Sequence, residues 1–282
     1  MNKEREMKKN DSKVILITGA SSGIGKETAK YLISEGHTVY CAARSLGKMK
    51  DLEELGGKAL QIDVTKHDTI SDGIDSIIND HGKIDVLINN AGFGLYGSVE
   101  DTSLDDARYQ FEVNLFGLAR TTQLVLPHMR KQHSGTIINI SSMGGKIYTP
   151  LGAWYHATKH AVEGWSDCLR LELKQFGIDV VVVEPGIILT AFGDVLMDPM
   201  LERTGEGPYK EFANKVANAT KSSYEKGGGS SPLVIAKAIS KAINSKKPKT
   251  RYVAGKMAKP TMFIRKWFGD RAFDSVIMSQ MK

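Results

Sequence analysis

KVILITGASSGIG, residues 13–25, opens as a strand and closes as the start of a helix. The apolar and β-branched run from Lys13 to Thr18 fits a strand buried on both faces. The turn after it, Gly19-Ala20-Ser21-Ser22-Gly23-Ile24-Gly25, leads into GKETAKYLISEG, whose apolar residues fall at helical spacing. A glycine-rich turn between strand and helix lets backbone N–H groups approach a pyrophosphate at the positive end of the helix. Three residues separate Gly19 from Gly23, so the common G-x-G-x-x-G spacing is not met. A purely structural turn therefore stays open as an alternative.

The alternation of strand and helix continues outward. Short β-branched runs occur at 13–18, 38–43, 58–63, 84–89, 135–140, 179–184 and, more weakly, 250–255, each followed by a helical stretch. This pattern predicts an α/β fold with right-handed crossovers. Its single doubly wound parallel sheet would have about seven strands, with helices on both faces. The alternation fails between 190 and 231, where Gly, Pro and mixed residues lead to GGGSSP at 227–232. An irregular insertion is expected there, a binding lid or a disordered loop. The expected organisation is an N-terminal extension (1–12), one dinucleotide-binding and catalytic domain (13–255) and a C-terminal tail (256–282).

The chain of 282 residues is 41% hydrophobic and 25% charged, which excludes wholesale disorder. Two cysteines, Cys41 and Cys168, cannot build a disulfide framework. They read as inert core thiols of a reduced, cytoplasmic protein. The net charge is +6, but residues 246–282 hold ten basic and two acidic side chains, so that segment is +8 and the rest −2. A body built to hold nucleic acid is not expected from that balance. The opening MNKEREMKKN lacks the apolar core of a secretory signal, and no apolar run approaches membrane-spanning length.

A dinucleotide site reads the adenosine ribose at the end of the second strand, about 20 residues past the glycines. An acid there would hold a 2′-hydroxyl. This chain has Ala43-Arg44-Ser45 instead. Arg44 suits a 2′-phosphate, with Ser21 and Ser45 as further donors. A solvated loop charge is the alternative reading of Arg44.

Together with later motifs, these residues resemble the short-chain dehydrogenase/reductase family from Lys13 to about Gly255. TGASSGIG (18–25) resembles the family's T-G-x-x-x-G-x-G. Asn89-Asn90-Ala91-Gly92 follows the fourth strand, as N-N-A-G does in the family, and Asn114 lies in the next helix. Ser142 follows the fifth strand, and Tyr155-x-x-x-Lys159 comes 13 residues later. Pro185-Gly186-Ile187-Ile188-Leu189-Thr190 resembles P-G-x-x-x-T.

The resemblance implies a Rossmann-type fold and an oxidoreductase that moves a hydride between a nicotinamide cofactor and a carbonyl or secondary alcohol. It implies Asn114, Ser142, Tyr155 and Lys159 as catalytic residues. Gly19, Ser21, Ser22, Gly23, Ile24 and Gly25 would meet the phosphates, and Arg44 with Ser45 the ribose, which points to NADP(H). Asp63 and Val64 would meet the adenine, and Asn90, Ala91 and Gly92 would line the cofactor. Lys159 would bond the nicotinamide ribose, Tyr155, Pro185 and Gly186 would also contact the cofactor, and Ile188 and Thr190 would hold the carboxamide end. A homodimer or homotetramer and no metal are also implied. YHATKHAVEGWSDCLRLEL, with Arg44, looks closest to members acting on hydroxysteroids and retinoids. His156 departs from the family, which often has a smaller residue there.

Reducing a ketone needs a hydride on carbon and a proton on oxygen. A phenol can give the proton, but its ordinary pKa of about 10 is high for exchange near neutrality. Lys159 lies four residues beyond Tyr155 and shares its helix face. A unit charge at about 4 Å, in an effective dielectric of about 20, is worth about 4 kcal/mol, or about three pKa units before desolvation opposes it. Ser142 can donate to the substrate oxygen. By the resemblance, Asn114 would anchor a water that carries protons from Lys159. His156 and His160 bracket the site without a metal-ligand set and read as packing or surface residues.

Phe93, Tyr96, Met143, Tyr148, Leu151 and Trp154, with Phe192, Val195, Met200 and Phe212 of the insertion, are large and apolar. They predict a bulky lipophilic carbonyl, steroid-, retinoid- or aryl-ketone-like. A dinucleotide-binding sensor or scaffold without turnover is the alternative from another class. A nucleic-acid binder acting through the tail is a third. In that tail, TMFIRKWFGDRAFDSVIMSQMK, apolar residues fall near helical spacing, with Gly269 as a break and Arg265, Lys266 and Arg271 among them. The expectation is a helix packed over the domain or a partner subunit, in preference to one lying on an anionic membrane.

Overall fold

Seven strands form where the apolar runs lie: β1 (Val14–Thr18), β2 (Thr38–Ala43), β3 (Lys58–Gln61), β4 (Val86–Asn89), β5 (Gly135–Ile140), β6 (Ile178–Pro185) and β7 (Arg251–Ala254). They make one sheet in the order β3-β2-β1-β4-β5-β6-β7, with every pair parallel. The computed structural model describes residues 12–190, 192–225 and 228–281, without the side chains of 192–195, 223 and 225. Most of the expected N-terminal extension thus lies outside the described residues, as do the side chains of Phe192 and Val195.

Among the described residues ten α-helices accompany the sheet: α1 (Gly23–Ser34), α2 (Lys50–Glu54), α3 (His67–His81), α4 (Leu104–Phe111), α5 (Leu118–Gln132), α6 (Ala153–Leu173), α7 (Phe192–Thr204), α8 (Lys210–Glu225), α9 (Leu233–Ile243) and α10 (Ala258–Ser279). The strand side chains alternate between two layers, as the pleat requires. Ile15, Ile17, Ile88, Ile138 and Val181 pack with Leu32 of α1 and with Ile235 and Ile239 of α9. Leu16, Leu87, Ile137 and Val180 face the other way, onto Ile70 of α3, Val125 of α5 and Leu169 of α6. The strand order reverses between β1 and β4, and a crevice at the carboxyl ends of such strands is where open α/β sheets bind ligands.

Three expectations are corrected. The stretch 190–231 is mostly helical, not irregular: α7 and α8 bring Met200, Ala213, Val216 and Ala217 into a small apolar cluster with Tyr96 and Leu151. Pro199 inside α7 and the separate Gly residues hid that periodicity. Cys168 is exposed on α6, not a core thiol, whereas Cys41 is buried in β2 and its thiol is pushed up to about 12 by burial. The tail is one long helix that kinks at the expected Gly269 (φ 76°) but docks only in part. Phe273 and Ile277 are buried against Ile147, while Phe263, Trp267 and Phe268 are exposed.

Candidate active site

The turn after β1 is held from β4. The Asn90 side-chain amide donates to the carbonyls of Thr18 (3.0 Å) and Gly19 (3.1 Å). The backbone N–H groups of Asn90 and Ala91 donate to the Thr18 hydroxyl, each at 3.1 Å. Gly19 has φ +68°, and a Cβ there would lie 2.8 Å from the Ala91 Cα. Any other residue would be strained and would push the turn away from β4. Ser22 is extended and precedes α1 with no side-chain cap, and no acidic residue sits in the first helical turn. The positive end of α1 is thus left to an anion. Ser21, Gly23 and Ile24 are half-buried in this turn, and Gly25 is buried behind it against Asn90.

The next two strand ends complete that edge. Arg44 and Ser45 are exposed after β2, and the Arg44 guanidinium contacts the Tyr109 hydroxyl at 3.4 Å. Asp63 accepts from the Thr65 N–H (3.0 Å) and hydroxyl (2.8 Å). Burial pushes its carboxyl up, but the Thr65 donors and the nearby Arg44 charge outweigh that and hold it below the usual carboxylate range. The Val64 carbonyl accepts from Arg120 at 2.9 Å. These residues fit a dinucleotide: a glycine cradle, an open helix terminus, and a cation where the adenosine ribose would lie.

The other site residues gather on the far side of the turn. Asn114 lies in a π-helical turn, Glu112–Gly117, between α4 and α5. Its Oδ1 accepts from the Phe93 N–H (3.0 Å), and its Nδ2 donates to the Phe93 carbonyl (2.9 Å) and to Thr158 Oγ1 (3.1 Å). A Cβ on Gly92 would meet Asn114 Oδ1 at 3.1 Å and Lys159 Nζ at 3.8 Å, so these three residues share one wall. Ser142 Oγ accepts from the Gly144 N–H at 3.0 Å and is hydrogen-bonded to the Tyr155 phenol. Lys159 is buried, donates to the Ile140 carbonyl at 2.9 Å, and has its Nζ 6.0 Å from the Tyr155 ring centre.

The expected electrostatic order is reversed here. Burial pushes the Tyr155 phenol above its ordinary value, and the Ser142 hydrogen bond only partly offsets it. The same burial lowers Lys159 to about 8, against the attraction of Glu163. Desolvation of each group exceeds the help its neighbours give.

His156 has a more specific place than packing alone. Its Nδ1 donates to the Gly144 carbonyl (2.9 Å), and its Nε2 accepts from the Thr149 N–H (3.0 Å), which defines the neutral Nδ1–H tautomer. It thereby ties the loop carrying Ser142 to the helix carrying Tyr155. On its other side a cavity of about 450 Å³ is lined by Val99, Tyr148, Leu151, Tyr209 and Phe212. Pro185 and Gly186 close β6, and Ile188 is buried beyond it. Thr190 lies 3.4 Å from where a Cβ on Gly23 would stand, so the end of this segment meets the turn after β1.

A family model for the short chain dehydrogenases matches residues 13–199. The chain belongs to the short-chain dehydrogenase family. As such it is an oxidoreductase of the kind that binds a nicotinamide dinucleotide and acts on alcohols and carbonyls. A 3-ketodihydrosphingosine reductase of Bacteroides thetaiotaomicron is 39% identical over 244 residues, 86% of this chain and 87% of that one. The structure of a short-chain dehydrogenase from Streptomyces avermitilis is 32% identical, with a TM-score of 0.77 over 95% of this chain and 94% of that one. The closed form of a serine dehydrogenase complexed with NADP+ is 27% identical, with a TM-score of 0.75 over 86% and 94%.

Sequence reading of this short-chain dehydrogenase missed the residues that hold the site from behind. Thr18 was in view within the quoted motif, but its double acceptor role was not. Glu163, Glu184 and Arg251 come from α6, β6 and β7. Arg251 donates to Glu163 at 2.9 Å and lies 3.5 Å from the fully buried Glu184. No local pattern links three residues so far apart in the chain.

Proposed function

We propose that the protein is an NADP(H)-dependent carbonyl reductase for a bulky lipophilic ketone, working through Asn114, Ser142, Tyr155 and Lys159. The observation that carries the reading is the apolar cavity beside His156, one residue from the Tyr155 phenol. A long-chain keto lipid suits such walls, and the reductase named for 3-ketodihydrosphingosine supports that class. Steroid-, retinoid- and aryl-ketones are the other members of it.

A bound nicotinamide supplies the hydride in reduction and takes it up in oxidation. Ser142 holds the substrate oxygen by a donated hydrogen bond, and Tyr155 delivers the proton to that oxygen. A phenol raised by burial is a ready holder of that proton. Its loss then depends on positive charge nearby, which Lys159 provides below about pH 8. Lys159 uses one N–H on Ile140, which leaves two that could reach a bound nicotinamide ribose and the phenol. Both amide hydrogens of Asn114 are engaged, so a relay water would be held through the second lone pair of Oδ1.

Arg44 follows β2, where the ribose 2′ position of a bound dinucleotide would lie, and the Ala43-Arg44-Ser45 strand end has no carboxylate, which supports NADP(H) over NAD(H). Exposed Leu104, Phe116 and Leu171 support pairing of subunits along α4–α6. The test is a panel of ketones from short-chain to long-chain and polycyclic, with NADPH and NADH, followed by absorbance of the reduced nicotinamide. Turnover should be greatest with the large apolar ketones and with NADPH. A preference for small polar ketones, or for NADH, would sink the corresponding half of the reading.

A further inference from the structure

The kink at Gly269 divides α10 into two halves that each bury one side, Ala258 and Thr261 in the first and Phe273 and Ile277 in the second, but only the first carries a cluster of exposed rings. Beyond it, Phe273 and Ile277 are buried, the Phe273 ring packs edge-on against Tyr148 (5.2 Å), and Asp274 accepts from the Tyr148 hydroxyl at 2.8 Å. Before it, Phe263, Trp267 and Phe268 are 56, 66 and 63% exposed. Their rings form one knob, with Phe263 6.3 Å from Trp267 and 6.2 Å from Phe268. Three large aromatic rings clustered in water on a well-anchored helix need a partner to be explained.

The charge around the knob says which partner. Lys259, Lys266 and Arg271 are exposed within four residues of these rings along the chain, and Lys266 lies over the Trp267 ring at 5.2 Å. The two acids of the helix are occupied: Asp270 by Arg265 at 2.6 Å, and Asp274 by Tyr148. The whole segment from 246 onward is +8 on a body that is −2. Exposed aromatic rings flanked in the chain by exposed cations match the boundary between anionic headgroups and acyl chains.

We propose that the first half of α10 is a docking site for an anionic membrane surface. The docked half sets its position. Arg265 covers Tyr148 at 5.3 Å to the ring centre, and Tyr148 is a wall of the apolar cavity beside His156. A bilayer seated on the aromatic knob would therefore meet the outer side of the helix that covers this wall of the cavity. No helix among the described residues is long and apolar enough to cross a membrane, so the contact is peripheral.

The experiment is flotation of the full chain with vesicles of phosphatidylcholine alone and with a phosphatidylglycerol fraction, at low and high salt, with size and melting temperature measured in parallel. It needs no substrate, so its outcome is separate from that of the reductase assay. The full chain should float with the anionic vesicles, less so at high salt, and not with the neutral ones. Trp267→Ser with Phe268→Ser should abolish flotation while leaving melting temperature, size and turnover of a water-soluble ketone unchanged. Lys259→Glu with Lys266→Glu and Arg271→Glu should weaken partition by at least about a hundredfold, since each basic residue near such a surface contributes about fivefold. No flotation, equal flotation with neutral vesicles, or retention by either variant would overturn the proposal. So would a fall in oligomer size in the Trp267/Phe268 variant, which would assign the knob to a contact between copies of this chain.

Discussion

The turn edge of the sheet and the helical cover over the cavity are built in opposite ways. At the edge, Thr18, Gly19, Asn90 and Ala91 lock one another through backbone and side-chain hydrogen bonds, and the strands beneath lie in two large apolar layers. In the cover, α7 and α8 rest on a small buried cluster around Met200, Ala213, Val216 and Ala217, and the end of α10 on Phe273 and Ile277 beside Ile147. Few buried contacts mean a low free energy of local opening. The edge can hold a dinucleotide in one geometry, while the cover can open locally without disturbing it.

The largest expected effect tests whether the chemistry belongs to the rigid part. Tyr155→Phe should lower turnover by about 10²–10⁴-fold, the usual worth of a general acid, with cofactor affinity and melting temperature unchanged. Turnover within a few-fold of the parent protein would remove Tyr155 from the proposed role. Next comes the contrast in stability. Ile88→Ala, in the centre of the sheet, should cost about 2–5 kcal/mol by equilibrium denaturation. Met200→Ala, in the α7–α8 cluster, should leave the main transition nearly in place. It should instead speed amide hydrogen exchange and proteolysis within 192–225. If both variants lower the main transition equally, cover and sheet form one cooperative unit and the contrast fails.

A smaller effect concerns the edge alone. Arg44→Ala should weaken NADPH about ten- to a hundredfold, the worth of a hydrogen bond to a charged group, and NADH far less. Isothermal titration with both dinucleotides measures it. Equal losses would show that Arg44 does not read a 2′-phosphate.

Legibility in the sequence follows the same division. A strand buried on both faces is a nearly unbroken apolar run, so β1, β2, β5 and β6 could be located within a residue or two from VILIT, TVYCAA, GTIINI and VVVV. The glycine turn was visible because Gly19 must adopt a positive φ against Ala91. The cover was not visible. Met200, Ala213, Val216 and Ala217 bury only one narrow stripe of two short helices, and Pro199 interrupts the first. Nor could spacing show that burial would dominate the Tyr155 and Lys159 pair, because desolvation depends on what surrounds them from other elements. His156 stood beside the motif as an oddity. Its meaning came only from the Gly144 carbonyl and Thr149 N–H that face it.

That histidine ties the loop carrying Ser142 to α6, and it gives the smallest expected effect. Burial lowers its pKa below the ordinary value of 6.5. A proton added at Nε2 would also displace the Thr149 N–H that now donates to it, leaving that N–H unpaired even where the Thr149 hydroxyl, 2.9 Å away, accepts the new proton. The folded state therefore binds this proton less readily than the unfolded chain. The contribution of His156 is fully present above about pH 6.5 and is lost as pH falls through the range below it. Stability, and with it the hold on Ser142, should decline on the acid side. His156→Leu leaves the Gly144 carbonyl and the Thr149 N–H unpaired and should cost about 1–3 kcal/mol at neutral pH. His156→Gln can donate to the one and accept from the other, yet cannot titrate. It should retain turnover and flatten the acid decline in a melting-temperature series against pH. Identical acid limbs for the parent protein and His156→Gln would show that another group sets the decline, and that His156 serves only as packing.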